Sequence, residues 1–323
     1  MAPAPSRLAF IARRLVGLVA VLVIVSFLVF SLLYIAPGSP EQLVLGNSKT
    51  IDPATLHAVR QEYHLEGPFL VRYLDWAGSA LRLDFGRSIR TSEPVRQGIA
   101  QRLALTSELA GIAFMMTLAF GIPLGVLAAV RRAQLVDRGV VFFSIVGLSA
   151  PAFATGILLL YIFAVRIGWF PAFGQGEGLT SRLQHLVLPA VALALTATGL
   201  VVKITRAAFV DELQKDYVVF ARARGIRPAR VLFGFVLRNA ATPIITAAGL
   251  ILAYMLAGSV LVEVTFALPG IGALLVDSVT SQDIPMVQGL AMLVAAVVVI
   301  VNLVVDLLYP VIDPRVVFTK ASR

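Results

Sequence analysis

Long stretches of this chain contain almost no polar residue, and they predict its architecture. Six apolar runs lie at about 15–36, 103–130, 140–165, 186–202, 244–264 and 287–309. A helix needs about 20 apolar residues to cross a bilayer. The runs lack the alternation of a barrel strand, and hydrocarbon offers an unpaired backbone group no partner. The pattern predicts an all-α membrane protein with six transmembrane helices.

The first run could be mistaken for a secretion signal, because Arg13 and Arg14 precede it. Signal cores are only about 7–15 residues long and end at a small-x-small cleavage site. This run is longer and has no such site. It predicts a retained first span.

Composition supports a membrane protein and changes how the charge is interpreted. The chain is 59% hydrophobic and 14% charged, whereas soluble domains carry about 25% charged residues. The net charge of +9 does not require a nucleic acid, since membrane proteins retain Lys and Arg on their cytoplasmic side. The chain has no cysteine, so disulfides and thiolate metal sites are excluded.

The distribution of basic residues predicts the orientation. Eight Lys or Arg residues lie between Lys203 and Arg238, whereas two short loops on the other side hold only Arg166 and Arg182. The positive-inside rule therefore puts both termini in the cytoplasm. The predicted divisions are a tail and first helix (1–36), an extracytoplasmic lobe (37–102), a core of five transmembrane helices (103–310) and a cytoplasmic tail (311–323).

Two further local patterns are informative. The lobe contains "DPATLHAVRQEYHL", which has helical spacing of apolar residues; the lobe is either a docking surface for an external partner or a cover over helix ends. Within the spans, Pro123, Pro151 and Pro189 each remove a backbone donor, so each predicts a kink.

Catalytic motifs are absent from the sequence. The four lysines, Lys49, Lys203, Lys215 and Lys320, lie outside any G-x-x-x-x-G-K-[ST] motif, so no P-loop is present. The chain also lacks H-E-x-x-H and G-x-S-x-G motifs. We expect no enzyme activity, no metal and no cofactor in this chain.

The positions of ionisable residues in the spans indicate whether the chain could be a self-sufficient, ion-driven transporter. Glu108 and Glu263 fall near the outer boundary, and Asp306, on one helix face with Asn302, falls near the inner boundary. Proton or sodium relays need ionisable groups deep in the bilayer. Capping or ion pairing is the simpler interpretation here, so the pattern disfavours a secondary transporter.

The basic segment between the fourth and fifth spans reads "KDYVVFARARGIRPARVLFGFVLRNAATP". It predicts one helix at 211–223 and another at 227–240, with Gly225 as the break and Pro228 in the first turn of the second. A helix on lipid headgroups would expose large apolar residues. Ala221 and Ala223 instead offer a small surface, which favours insertion into a groove of a partner protein.

Several blocks occur in an order that resembles one family of transporters. They include "VSFLVFSLLYIAPGSP", "DFGRSIRTSEPVRQGIAQRLALTSELA", "LSAPAFATGILLLYIFAVRIGWFPAFG", "LVEVTFALPGIGALLVDSVTSQDIPMVQG" and the basic segment itself. Together they resemble permease subunits of the dipeptide/oligopeptide/nickel ABC importer family, over nearly the whole chain. The resemblance implies the type I ABC importer permease fold.

The resemblance also implies partners and sites. The expected partners are a second homologous permease, two cytoplasmic ATPase subunits that bind ATP and Mg, an extracytoplasmic solute-binding protein and the lipid bilayer of the inner membrane. The expected ATPase-coupling loop, at about 211–241, comprises Asp216, Tyr217, Ala221, Arg222, Ala223, Arg224, Gly225, Arg230, Asn239 and Pro243.

A second expected site lies at the outer mouth of the pore. It comprises Glu263, Phe266, Pro269, Gly270, Gly272 and Asp283 as a gate or a binding-protein contact. Gly270 and Gly272 around Pro269 predict a tight re-entrant turn; the alternative is a loop that seals helix ends.

Peptides are the expected cargo, with nickel complexes and glutathione-like molecules as alternatives within the family. A secondary transporter, an intramembrane enzyme and a scaffold with a lipid-binding loop remain as alternatives from other classes.

Overall fold

The structure, a computed structural model, describes residues 7–35 and 68–312. The predicted helix within 52–65 and the tail at 313–323 lie outside these residues. The helices are α1 Arg7–Ile35, α2 Phe69–Leu81, α3 Val95–Val130, α4 Leu135–Ser149, α5 Ala152–Leu159, α6 Gly178–Leu213, α7 Asp216–Ala223, α8 Pro228–Arg230, α9 Leu237–Thr265, α10 Ile271–Thr280 and α11 Ile284–Ile312. π-helical segments follow α5 (Leu160–Arg166) and α8 (Val231–Val236). The described residues contain only an isolated bridge, Arg87 to Pro94, in place of a sheet, so the all-α prediction is confirmed.

Helix length and composition agree with the predicted spans. Among the described residues, five helices are long and apolar enough to cross a membrane, and the number is six if the bent pair α4–α5 forms one span. The helices extend beyond the apolar runs, because their polar ends continue the same backbone hydrogen bonding. α6, for example, covers Gly178–Leu213, whereas the apolar run covers only 186–202.

The third predicted span is bent where Pro151 predicted a kink, so this prediction is confirmed, and the span is divided into two helices. α4 and α5 meet at an angle of 100°. The break lies at Ala150, whose backbone is extended (φ −84°, ψ 120°), immediately before Pro151. A proline disfavours helical geometry in the preceding residue and donates no hydrogen bond itself. Pro123 and Pro189, in contrast, lie inside the continuous helices α3 and α6.

The described residues divide into two compact units. The first comprises Ser107–Leu268 with the described parts of Met1–Arg14 and Ile300–Arg323. α6 is its central helix, because it packs on α4, α5 and α9 and 61% of its apolar stretch is buried. Its neighbours approach closely at glycines, since a Cβ at Gly147 would lie 3.0 Å from the Leu195 carbonyl oxygen.

The second unit comprises the described part of Leu15–Thr106 together with Pro269–Val299. Aromatic residues attach α2 to α1 within it. The rings of Phe30 and Trp76 lie 5.6 Å apart, and the Ser26 hydroxyl is 2.8 Å from the Tyr73 hydroxyl. The start of α3 packs on α10 and α11 through a second cluster that includes Val95, Ile271 and Leu290.

Candidate functional site: the coupling loop and the outer-face residues

The candidate coupling loop is a short helix between two breaks. Its helix, α7, begins after Lys215, which is extended (φ −74°, ψ 146°). It ends before Gly225, whose φ of +73° lies in the left-handed region that glycine adopts without strain. Pro228 then starts α8, so the break at Gly225 and the proline in the first turn are confirmed; the predicted end at Ala240 is wrong, because the helix runs on through the π-helical segment into α9. The predicted start at Asp211 is wrong, because Asp211 belongs to α6.

One face of α7 is buried in the first unit. Val218 is fully buried and Ala221 is 8% exposed, both in a cluster with Phe209, Val231 and Val236. Sequence reasoning put Ala221 beside Ala223 at a partner surface. The structure separates them: Ala221 attaches the helix to the core, whereas Ala223 is exposed.

The other face of α7 is exposed and combines apolar and basic groups. Phe220 is 66% and Val219 is 56% exposed. Sequence reasoning missed both, although a large apolar residue on a short polar loop is the available signal. Exposed aromatic and arginine side chains are typical of protein interfaces. The remaining predicted residues on this surface are also exposed: Asp216, Arg222, Arg224, Gly225 and Arg230.

A chain of hydrogen bonds ties the start of α7 to two other helices. The Glu212 carboxylate, at the end of α6, accepts a bond from the Lys215 ammonium and another from the Tyr217 hydroxyl at 2.5 Å. The Asn239 amide, at the start of α9, donates to the Tyr217 oxygen at 3.0 Å and to the Phe235 carbonyl at 3.2 Å. Tyr217 therefore links α6, α7 and α9.

Burial, and then the bond donated to Glu212, raise the pKa of the Tyr217 hydroxyl above its usual value. It remains a neutral donor at physiological pH. Glu212 is a residue that sequence reasoning missed. Its signal is its position, since a carboxylate at a helix C-terminus opposes the helix dipole and requires partners. Pro243, the last predicted residue of the loop, lies inside α9 and is exposed.

The predicted outer-face residues fall in both units, and those of the first unit are buried. Glu263, near the end of α9, has no exposed surface, and Phe266 is 2% exposed. The Phe266 ring lies against Gly156 of α5, and its carbonyl accepts a bond from the Gly174 amide at 3.3 Å. Both residues belong to the packed interior of this unit.

In the second unit, the predicted residues surround the start of α10. Pro269 is exposed, whereas Gly270 and Gly272 are buried. Gly270 is extended (φ −98°, ψ −176°) and Gly272 lies inside α10, so neither makes the predicted tight turn. The left-handed residue of this segment is Ala267, with φ +50°, which precedes the unit.

Asp283 connects two parts of the second unit. Its carboxylate accepts bonds from the Ser88 hydroxyl, from the Ile89 amide at 3.1 Å and from the Met286 amide at 3.4 Å. It is 3% exposed. Asp283 therefore caps α11 and holds the loop before α3, which is a structural role.

Charged residues in the spans form ion pairs. Arg182 Nε lies 2.6 Å from Glu108, and Arg14 lies 3.2 Å from Asp306, so ion pairing is confirmed for both acids. A third pair, which sequence reasoning missed, joins Asp137 of α4 to Arg206 of α6 by two bonds of 2.6 and 2.8 Å. Within the described ranges, no group of three His, Cys, Asp or Glu residues is arranged to hold a metal ion.

The fold and this loop define a multi-pass helical membrane protein with a short exposed basic helix between two spans. Residues 121–318 match the family "Binding-protein-dependent transport system inner membrane component". Residues 7–110 match the corresponding N-terminal family, "Binding-prot-dependent transport system membrane comp, N-term". The chain belongs to this family.

Three relatives cover almost the full length of the chain. The probable peptide ABC transporter permease protein y4tP of Sinorhizobium fredii is 38% identical over 95% of this chain and 98% of its own length. The di/tripeptide transport system permease protein DppB of Pseudomonas aeruginosa is 36% identical over 96% and 98%. The glutathione transport system permease protein GsiC of Escherichia coli is 37% identical over 95% and 98%.

Solved structures support the fold. An inward-facing methionine ABC transporter, MetNI, contains a chain that matches with a TM-score of 0.58 and 19% identity, over 69% of this chain and 100% of that one. The chain has the type I ABC importer permease fold, and it is a permease subunit of an ABC importer in the inner membrane.

Proposed function

We propose that this subunit forms half of a translocation pore for peptides, which a solute-binding protein delivers from outside. A second homologous permease forms the other half, and two ATPase subunits in the cytoplasm bind ATP and Mg and supply the energy. This chain itself performs no catalysis. The peptide assignment rests on the names of the peptide and glutathione permeases to which it is similar.

The exposed face of α7 is the observation that carries the assembly. It presents Ala223 and Gly225, which have little or no side chain, beside the exposed Phe220. Small residues permit close approach, and an exposed aromatic ring fills a pocket of a partner. The opposite face is fixed to the core by Val218 and Ala221. Such a helix is suited to insertion into a groove of the ATPase.

The proposed mechanism is alternating access. ATP binding closes the ATPase pair, α7 moves with it, and the pore opens outward to receive cargo; hydrolysis resets it inward. The coupling loop at about 211–241 and both termini are cytoplasmic, and the 37–102 segment faces outward. Among the residues proposed for the outer mouth, Pro269 has the exposed surface that a binding-protein contact needs. Phe266 and Asp283 are buried, each in its own unit, so their proposed role is to hold the residues of a gate in place.

A steric substitution tests the docking proposal. Ala223→Trp should lower peptide uptake by reconstituted complexes by at least about tenfold, through lost coupling free energy, and should weaken co-purification of the ATPase subunits. Replacing both Arg227 and Arg230 with Gln should lower uptake less than the indole does, because exposed ion pairs typically contribute only about 0.2–1 kcal/mol each.

The control is Ala100→Trp, the same change at an exposed alanine near the start of α3, which should leave ATPase binding unchanged. If the loop instead lies on lipid headgroups, removing the two arginines will be more damaging than adding the indole. That order of effects would refute the docking proposal.

A further inference from the structure

The hydrogen-bonded chain through Tyr217 lies where force would pass between α7 and the spans. α7 is eight residues long, and a helix of this length is marginal on its own. Its orientation therefore depends on its contacts with the rest of the first unit. Those contacts are the apolar pair Val218 and Ala221 and the polar chain at its first turn.

The two ends of α7 are held differently. At its C-terminal end, α7 passes through Gly225 to a helix that runs on from Pro228 through the π-helical segment into α9, and its contact there is apolar, in the cluster with Val231 and Val236. At its N-terminal end, the Tyr217 hydroxyl is bonded to both Glu212 and Asn239. The polar contacts of Tyr217 with α6 and α9 are therefore concentrated at the N-terminal end of α7.

The three side chains of this hydrogen-bonded series, Glu212, Tyr217 and Asn239, each have a partner. Their relative geometry is therefore specific. Glu212 is 8% exposed, and a buried carboxylate is stable only with its bonds made. The Asn239 amide uses one bond for Tyr217 and one for its own helix. Buried polar pairs are in general no more stabilising than well-packed apolar groups of similar volume. The hydrogen bonds add a defined orientation among the three helices.

We infer that Tyr217 is a positioning residue that transmits movement of the coupling helix to α6 and α9 through Glu212 and Asn239. This inference rests on the proposed docking of α7 to an ATPase. It concerns a step after docking, so the two can fail separately: Ala223→Trp tests docking, whereas loss of the Tyr217 hydroxyl tests transmission.

Tyr217→Phe is the direct test, because it removes the hydroxyl and keeps the ring that packs on the apolar cluster. The complete transporter, reconstituted in vesicles with its binding protein, provides the readout as the ratio of stimulated to unstimulated ATP hydrolysis. We expect this ratio and peptide uptake to fall by at least about fivefold, the lower end of typical coupling between sites, while the ATPase subunits still co-purify.

Two further variants complete the design. Tyr161→Phe is the matched control: its hydroxyl accepts a bond from Arg166 Nε at 2.8 Å, away from the loop, and its loss should leave the ratio unchanged. Asn239→Ser removes the donor to Tyr217 and should lower the ratio in the same direction. Combined with Tyr217→Phe, it should add little, because both changes interrupt one chain. If the Tyr217→Phe protein fails to accumulate, the ratio measured for Asn239→Ser tests the inference alone.

An unchanged ratio in Tyr217→Phe or, where that variant does not accumulate, in Asn239→Ser would overturn the inference. Loss of ATPase co-purification in Tyr217→Phe would also overturn it, because the hydroxyl would then act in docking; the docking proposal would stand. If Ala223→Trp leaves ATPase binding and uptake intact, the docking proposal fails irrespective of the result at Tyr217.

Discussion

The contact between α3 and α6 allows a quantitative test of the first unit. Gly121 and Gly125 lie one helical turn apart on α3, in the spacing that brings membrane helices close together. A Cβ added at Gly125 would lie 2.6 Å from the Thr205 Cβ and 2.9 Å from the Val202 carbonyl oxygen. Both atoms belong to or adjoin the backbone of α6, so no side-chain rotation relieves the contact.

The cost of Gly125→Ala follows from these distances. Carbon atoms pack best at about 3.5–4.0 Å, so the helices must separate locally by roughly 1 Å. Overpacking of this kind costs about 1–3 kcal/mol, and contact with backbone atoms favours the upper end. Alanine recovers up to about 1 kcal/mol through its helix propensity. We expect a net destabilisation of about 2 kcal/mol.

The assay is thermal unfolding of the purified complex. One kcal/mol shifts the Tm of a domain of 150–250 residues by about 2–4 °C, so Gly125→Ala should lower it by about 4–8 °C. Gly111→Ala is the matched control on the same helix, because a Cβ there meets nothing within 4 Å; it should raise the Tm slightly. A Tm for Gly125→Ala at or above that of the unchanged protein would refute the close contact of α3 with α6.

Two further predictions concern the ion pair between Asp137 and Arg206 and the orientation. Asp137→Asn should destabilise the protein by about 1.5–3 kcal/mol, the value of a hydrogen bond to a charged group; adding Arg206→Gln should add little, and fully additive shifts in Tm would contradict a direct pair. Because the chain has no native cysteine, single cysteines report topology: one at Gln175 should react with an impermeant thiol reagent added outside intact cells, and one at Gln134 should not. The reverse pattern would contradict the orientation.

The spans could be predicted from the sequence because their cause is local. A long apolar run must be helical in a bilayer, whatever surrounds it. The bounds could not be predicted equally well. α3 begins at Val95, eight residues before the apolar run, since polar residues continue a helix once it leaves the hydrocarbon. The break at Pro151 and the continuous helix through Pro123 also depend on neighbours, although the residue type is the same.

The coupling loop also has features that the sequence predicts and features that it does not. Gly225 and Pro228 were predictable because a left-handed φ and a first-turn proline are properties of the local backbone. The burial of Ala221 and the exposure of Ala223 were not, since the two residues differ only in which side of α7 meets the core. Asp137 acquires its role from Arg206, a partner distant in sequence, as Tyr217 does from Asn239 and Gly125 from α6. Single-sequence patterns carry no direct record of such pairs.

These contacts make α6 the most extensively fixed helix of the first unit. Arg182 is paired near its start, Arg206 is paired near its C-terminal end, and Glu212 is bonded to α7. Moving α6 relative to its neighbours therefore breaks several polar contacts. The junction at Ala150–Pro151 is different, because Pro151 donates no backbone bond and the helical ladder is already interrupted there. What holds the angle between α4 and α5 is α6, because both helices pack on it and its Thr196 hydroxyl donates to the Ala150 carbonyl at 3.1 Å.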